Sequence, residues 1–489
     1  MEFFDALADT FREWWPHILT AISLVLMVLA SAHVVLYKKD TRAAIGWIGV
    51  VLLSPIFGAM VYSVLGINRV VRRAVQLRSG RTPLLTHGSD HAADRDAVRK
   101  QLPQRAQHLV CLEQLIGELT RRPLLGGNKI TPLVGGQEAY PQMIEAIEQA
   151  QHSVAMSTYI FDNDRAGQEF VDALAGAVKR GVEVRVIVDS IGARYSFPSI
   201  VGKLRRANIR VERFLPSYMP GRFAYSNLRS HRKILVADGR LGFTGGLNIR
   251  EGHDERLCPD DPILDHHFRI EGPVVAHLQE VFAEDWAFCS DELLDSDIWF
   301  PELKAAGTAL ARGISAGPDS DLDKRRLTVE GALSCAKSSV CIVTPYFLPD
   351  ASLVGALNVA ALRGVDVDII LPEANNLTLV KWASNAMLWQ VLERGCRVWM
   401  SPPPFDHTKV MLVDRAWTLF GSGNWDPRSL RLNFEFDVEC YEPQLAEPLH
   451  SWMMEKRKLS REVTLEEMDG RSLPARLRDG VVRLLTPYL

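Results

Sequence analysis

No excess of either charge marks this 489-residue chain: 56 basic residues stand against 59 acidic ones, a net of −3. That balance argues against an extended nucleic-acid groove, because domains that track a phosphate backbone are usually strongly basic. No Cys-x-x-Cys pair occurs among the seven cysteines. An odd, scattered set argues against a disulfide framework and offers no zinc spacing, so buried thiols in a reducing compartment are the simpler reading. No glycine-rich loop with a lysine is present to cradle a nucleotide, and no residues show metal-ligand spacing. No metal and no cofactor are therefore expected. The remaining composition, 47% hydrophobic and 24% charged, is that of a folded protein and excludes wholesale disorder. Length alone suggests about three domains. Mean hydropathy is −0.01, but the apolar residues are not evenly spread.

They concentrate near the N-terminus. No charge interrupts residues 14–37 or residues 43–67, and each run exceeds the ~20 residues that cross a hydrocarbon core. The preceding residues Glu2, Asp5, Asp9 and Glu13 are acidic, unlike the basic start of a signal peptide. Residues 1–80 are thus predicted to form a membrane hairpin, with helices at about 15–37 and 43–67. The loop between them carries Lys38, Lys39 and Arg42. The outer flanks carry Arg12, Arg69, Arg72, Arg73, Arg78 and Arg81. Six against three places both ends, and the C-terminal bulk, on the cytoplasmic side. Residues 81–108 are polar without a sustained apolar period and read as a linker or surface helix.

From residue 109 onward the chain repeats one plan. Residues 153–161 (SVAMSTYIF) predict a strand, 168–180 an amphipathic helix and 182–189 (VEVRVIVD) a second strand. Residues 339–347 (SVCIVTPYF), 351–363 and 365–371 (VDVDIIL) follow the same order, and both copies pass through Arg-Gly-Val at the helix-to-strand turn. Glycine there fits a left-handed helix cap. The expected fold is α/β, with two similar lobes (109–310 and 311–489) around mixed central sheets.

The next element of each copy carries the chemistry. His231, Lys233 and Asp238 are followed by Gly245, Gly246 and Asn248; His407, Lys409 and Asp414 are followed by Gly421, Ser422 and Asn424. Both fit H-x-K-x4-D-x6-G-[GS]-x-N without a gap. A His and a Lys two apart on a strand share one face, and a Gly-Gly or Gly-Ser turn lets backbone N–H groups approach an anion. Two His, two Lys and two Asn around one centre suit a phosphate: Lys and Asn donate to non-bridging oxygens, and the imidazoles divide nucleophile and acid work. Asp238 and Asp414 complete the set of candidate catalytic residues, although a scaffold role reads more naturally for both.

These residues resemble the hallmark of the phospholipase D superfamily, two HKD motifs. Residues 43–66 (AAIGWIGVVLLSPIFGAMVYSVLG), 159–161 (YIF), 228–233 (LRSHRK) and 424–435 (NWDPRSLRLNFE) resemble, more closely, bacterial cardiolipin synthases with an N-terminal hairpin. The resemblance implies two phospholipase-D-like lobes forming one active site, and phosphatidyl transfer between two phosphatidylglycerols through a phosphohistidine, with glycerol released. It implies membrane lipids as partners, no nucleic acid, and a bacterial inner-membrane location. Hydrolysis, or phosphatidylethanolamine as donor, would use the same residues. By resemblance His231 is the nucleophile and His407 the acid, though the two motifs' symmetry gives no independent reason for that order. Lys233, Lys409, Asn248 and Asn424 would hold the phosphoryl oxygens, and Glu435 and Asp265 would orient the imidazoles. One stretch departs from the family: after Asn248 an Asp-Glu-Tyr segment is usual, where this chain has 250–255 (REGHDE). His266 and His267, adjacent and facing opposite ways on a strand, are expected in polar or surface roles.

Overall fold

The computed structural model describes residues 2–38, 41–66, 89–215, 228–318 and 321–486. They fall into two compact units, Met1–Gln76 and Leu77–Leu489. Lys39 and the arginines from Arg69 to Arg81 lie outside the described residues.

In the first unit a helix runs over Glu2–Tyr37, and its Phe11–Tyr37 portion is long and apolar enough to cross a membrane. The second apolar run does not form the single helix predicted over 43–67. It forms helices Thr41–Leu53 and Pro55–Val61, then a π-turn at Tyr62–Gly66. The cause is Pro55, which lacks an N–H and pushes the preceding residue out of the helical region: Ser54 sits at φ −146°, ψ 83°. Thirteen helical residues span only ~20 Å at 1.5 Å each. Val34, Val51 and Tyr62 pack together, and His33 Nδ1 lies 2.8 Å from the Tyr62 hydroxyl. Most other large apolar side chains of this unit face outward.

The second unit is built on one 16-stranded sheet. Its strands are β1 Leu125–Val134, β2 Ser153–Thr158, β3 Glu183–Asp189, β4 Arg210–Phe214, β5 Arg229–Ser230, β6 Ile234–Ala237, β7 Leu241–Gly245 and β8 His266–Glu271. There follow β9 Ala309–Ala316, β10 Ser339–Val343, β11 Asp366–Pro372, β12 Arg397–Ser401, β13 Val410–Val413, β14 Trp417–Gly421, β15 Asn433–Tyr441 and β16 Arg461–Val463. Neighbours run β4-β3-β2-β6-β7-β8-β1 in one half and β9-β15-β14-β13-β10-β11-β12-β16 in the other. Within each half three strands are parallel (β2-β3-β4 and β10-β11-β12) and the rest antiparallel. The halves therefore repeat one order, and they join edge to edge where β1 pairs with β9.

The Arg-Gly-Val turns behave as their composition requires. Helices Arg165–Lys179 and Ala351–Leu362 each end at a glycine with positive φ, Gly181 (87°) and Gly364 (86°). Val182 N–H then reaches back to Ala177 O and Val365 N–H to Ala360 O, both at 3.1 Å. Strands β2 and β10 stop three and four residues short of the predicted ends at Phe161 and Phe347. There the chain leaves the ladder and pairs once more beside each motif turn, Phe161 with Ile249 and Phe347 with Trp425.

Each half has its own apolar core. Residues 89–108, the described part of the segment read as a linker, do not cross solvent. Helix Arg95–Gln101, capped by Asp94, and the 3-10 turn Gln104–Leu109 bury Val98, Leu102, Ala106 and Leu109. These pack with Val329, Leu333 and Trp417 of the second half, as do Leu112 and Ile116 of helix Val110–Thr120. The chain thus packs on the second half before it enters the first. Phe214, Trp286, Trp299 and Phe300 are buried core residues.

Candidate active site

The two motif histidines lie just ahead of β6 and β13, not on them as predicted. Each is instead tied to the opposite half. His231 N–H donates to Phe434 O (2.9 Å) and His407 N–H donates to Leu264 O (2.7 Å). The alternation of side chains persists: Arg232 turns away into a buried ion pair with Asp285 (2.7 Å to each oxygen), and Thr408 turns toward His266 Nδ1 (3.3 Å).

The residue after each accepting carbonyl is a carboxylate, and it reaches the histidine that its neighbour anchors. Glu435 Oε2 lies 3.0 Å from His231 Nδ1, and Asp265 Oδ2 lies 2.8 Å from His407 Nδ1. The pairs are crossed, because Glu435 belongs to the half of His407 and Asp265 to the half of His231. A carboxylate at Nδ1 fixes the proton there and leaves the Nε2 lone pair available. No hydrogen bond engages either Nε2 among the described residues.

The environments of the two pairs differ. Burial by itself would raise Glu435, but His231, Lys233 and the Ser422 hydroxyl outweigh it and hold the carboxyl down to about 2. Ser422 Oγ donates to Oε2 and Asn433 Nδ2 to Oε1 (2.5 and 3.1 Å), so this carboxylate is fully satisfied as an anion. Asp265 is pushed upward by burial, with Lys409 opposing. Burial lowers both His231 and His407, and both lysines add to it; Glu435 opposes the fall at His231, whereas His407 drops well below its ordinary value.

Burial also depresses the ammonium groups, Lys233 to about 7 and Lys409 to about 8. Lys233 Nζ donates to His231 O (2.8 Å), and Lys409 Nζ donates to His407 O. Lys409 Nζ is also 2.9 Å from His407 Nδ1. With the Nδ1 proton facing Asp265, that approach is a close contact rather than a hydrogen bond. Asn248 Oδ1 accepts from Ile160 N–H (3.2 Å), which turns its NH₂ the other way. Asn424 Oδ1 is buried without a hydrogen-bond partner among the described residues.

Asp238 and Asp414, grouped with the catalytic residues, sit at the far ends of β6 and β13 in left-handed turns (φ 51° each). Asp238 accepts from the N–H groups of Gln151, His152 and Ser153, and Asp414 from those of Lys337, Ser338 and Ser339. Their chemistry is spent on closing the sheet. Three of the turn N–H groups are likewise occupied, Gly246 by His266 O, Ser422 by Phe436 O and Gly423 by Asp437, and are not free to hold an anion. Glycine at 246 answers another need, since a Cβ there would lie 2.2 Å from Asp265 Oδ1. His266 and His267 are buried rather than superficial.

The sequence did not single out several contributors. Tyr140 holds the Asn248 carbonyl (2.6 Å) and Arg325 the Asn424 carbonyl (2.9 Å), so different residues of equivalent helices perform one task. Tyr159 lies 5.2 Å from the His231 ring, with Lys233 over its face. His253, in the divergent segment, is buried 6.0 Å from the His407 ring, and burial pushes it down to about 3. Ligand atoms of His253, Asp265 and His407 lie within 4.8 Å of one another. The Nδ1 proton between Asp265 and His407, and the adjacent Lys409 ammonium, already place positive charge where a cation would sit. The arrangement reads as a hydrogen-bonded pair rather than a metal centre.

The family described as "Cardiolipin synthase, PLD-like domain" matches residues 143–286 and 329–457, and "Phospholipase_D-nuclease N-terminal" matches residues 25–66. The major cardiolipin synthase ClsA of Bacillus subtilis is 31% identical over 482 residues, covering 96% of this chain and 99% of its own. Cardiolipin synthase A of Pseudomonas fluorescens is 31% identical over 478 residues, covering 97% and 99%. Among solved structures, the phosphatidylserine synthase of Haemophilus influenzae shares the fold, with a TM-score of 0.58 at 17% identity over 78% of this chain and 100% of that one. Two HKD motifs brought to one centre, in a chain similar along nearly its whole length to these synthases, make it a member of the bacterial cardiolipin synthase family of the phospholipase D superfamily.

Proposed function

We propose that this phosphatidyltransferase joins two phosphatidylglycerols into cardiolipin and releases glycerol. The observation that carries the reading is the pair of crossed histidine–carboxylate contacts, flanked by two buried lysines. His231 is the nucleophile: an ionised, fully bonded Glu435 at Nδ1 raises electron density on the imidazole and stabilises the positive charge that develops on attack. The bound phosphodiester's negative charge favours His407 as the imidazolium, with a second proton taken up at Nε2; His231 Nε2 attacks phosphorus, the P–O bond to the glycerol headgroup breaks, and His407 delivers that Nε2 proton to the departing oxygen. The headgroup hydroxyl of a second phosphatidylglycerol then gives its proton to His407 and attacks the phosphohistidine. Cardiolipin forms and His231 is restored. Lys233, Lys409, Asn248 and Asn424 hold the non-bridging oxygens throughout.

Membrane association follows from the apolar N-terminal helix and the family. We infer that Phe11–Tyr37 crosses the bilayer and that the segment broken at Ser54 returns the chain to the side it left. The excess of basic residues outside the loop supports a cytoplasmic catalytic unit. The test is purified full-length protein in detergent with phosphatidylglycerol as sole lipid. Equal yields of cardiolipin and glycerol are expected, unchanged by a chelator. Phosphatidic acid as the main product would replace transfer with hydrolysis.

A further inference from the structure

The C-terminal helix Leu473–Arg483 is amphipathic in an unusual sense: its apolar face is the exposed one. Leu473, Leu477, Val481, Leu484 and Leu485 are between 47% and 72% exposed. At ~100° per residue they occupy an arc of ~120°. The opposite face holds the helix to the protein: Val482 is buried, and the fully buried Asp479 pairs with Arg471 and Arg478 at 2.7 Å each. Arg478 also lies 4.2 Å above the Trp382 ring of helix Thr378–Asn385. Leu377, Leu379 and Trp389 are also large exposed apolar side chains.

Arginines flank the arc. Residues 471–486 contain four arginines and one acid, Asp479, which two of the arginines already neutralise. Arg476 and Arg483 lie on the other flank and line a cavity of about 410 Å³ with Arg471, Trp389, Met468 and Asp469. Among the described residues Arg476 donates a hydrogen bond only to the Asp469 carbonyl (3.4 Å), and the Arg483 guanidinium makes no hydrogen bond or ion pair. Guanidinium groups free to form two parallel bonds, beside an apolar stripe, match a phosphate at the boundary between headgroups and acyl chains.

We propose that this helix and its cavity form a second lipid-binding site, distinct from the catalytic centre, which docks on an anionic bilayer and seats a phospholipid phosphate against Arg476 and Arg483. The apolar arc enters the acyl boundary while the arginines stay at headgroup depth. The site stands independently of turnover. It is tested with full-length protein in nanodiscs of phosphatidylcholine alone or with added phosphatidylserine, an anionic lipid outside the proposed reaction. Hydrogen–deuterium exchange is followed over 473–486. Exchange is expected to slow in the anionic discs, and Arg476→Glu or Arg483→Glu should each cut the docked fraction's ratio to undocked by about fivefold or more. Leu477→Asp, on the exposed face, should abolish the protection while leaving the melting temperature unchanged. Equal exchange in the two discs, or protection indifferent to all three substitutions, would overturn the proposal. So would protection by inorganic phosphate without anionic lipid, which means a free-anion site, or protection that rises with protein concentration in phosphatidylcholine, which means a second copy.

Discussion

Glu435→Gln changes one atom and tests the crossed arrangement most directly. The carboxylate accepts from His231 Nδ1, Ser422 Oγ and Asn433 Nδ2. Glutamine can keep its oxygen toward His231 and Ser422, but its NH₂ then meets the Asn433 NH₂. Rotation of the Asn433 amide resolves this, since Asn433 Oδ1 is a buried acceptor without a partner among the described residues. The imidazole tautomer is therefore retained and the charge is lost. Charge-assisted bonds are worth ~1.5–3 kcal/mol against ~0.5–1.5 for neutral ones, so the two bonds to Oε2 together lose ~2–3 kcal/mol. If that loss falls on the state in which His231 carries positive charge, turnover drops ~30- to 200-fold. The lowering of Glu435 from 4.5 to about 2 also means that its ionised form stabilises the fold at neutral pH, by up to ~3 kcal/mol, lost as pH falls through that range. Rates should therefore be compared well below the variant's melting temperature. The assay is cardiolipin formation from phosphatidylglycerol, with trapping of the phosphorylated enzyme. Turnover within threefold of the parent would refute the role given to the carboxylate, whereas a slow variant with unchanged melting would place its effect wholly in the chemical step.

Lys233 and Lys409 must be charged to hold a phosphodiester, so kcat/KM should fall as pH rises through about 7 to 8. Between those values and 10.5 the unfolded chain binds more protons than the folded one, so stability should rise over the window in which activity is lost; a parallel fall of both would contradict the assignment. Gly246→Ala should press on the Asp265 carboxylate and displace it from His407, costing ~10-fold or more in turnover, read by steady-state assay beside an unchanged circular-dichroism spectrum. Arg232→Leu leaves Asp285 charged and buried, a loss of ~3–5 kcal/mol; denaturant unfolding that moves by less than 1 kcal/mol would show that the pair relaxes through water.

The repeat, the two His-Lys pairs and their asparagines were legible because each rests on local grammar: glycine caps, strand alternation and a fixed motif spacing. What escaped was long-range. Nothing local to Glu435 or Asp265 says that each serves the histidine of the other half, since that follows from β5 pairing with β15 and from the Leu264–Asp406 bridge. Residues 81–108 read as a linker or surface helix because their apolar residues are too sparse for a periodic signal, yet Val98, Leu102 and Ala106 among them belong to the second half's core. Asp238 and Asp414 share the motif with the catalytic groups, because its spacing records a requirement of the turn as well as one of the chemistry. Tyr140 and Arg325 were invisible because the repeats solved the same problem with unrelated side chains.

The crossing of the carboxylates has a consequence for assembly. A single half contains an imidazole and a carboxylate that do not pair with each other, so it cannot orient its own histidine; half a chain would need a second half supplied from solution, with an encounter rate set by dilution. Joining β1 to β9 in one sheet replaces that encounter with a fixed, high effective concentration. The centre is then present in every folded molecule however scarce the protein becomes. Damage to either half disables both histidines at once, so the two repeats are bound to a common fate.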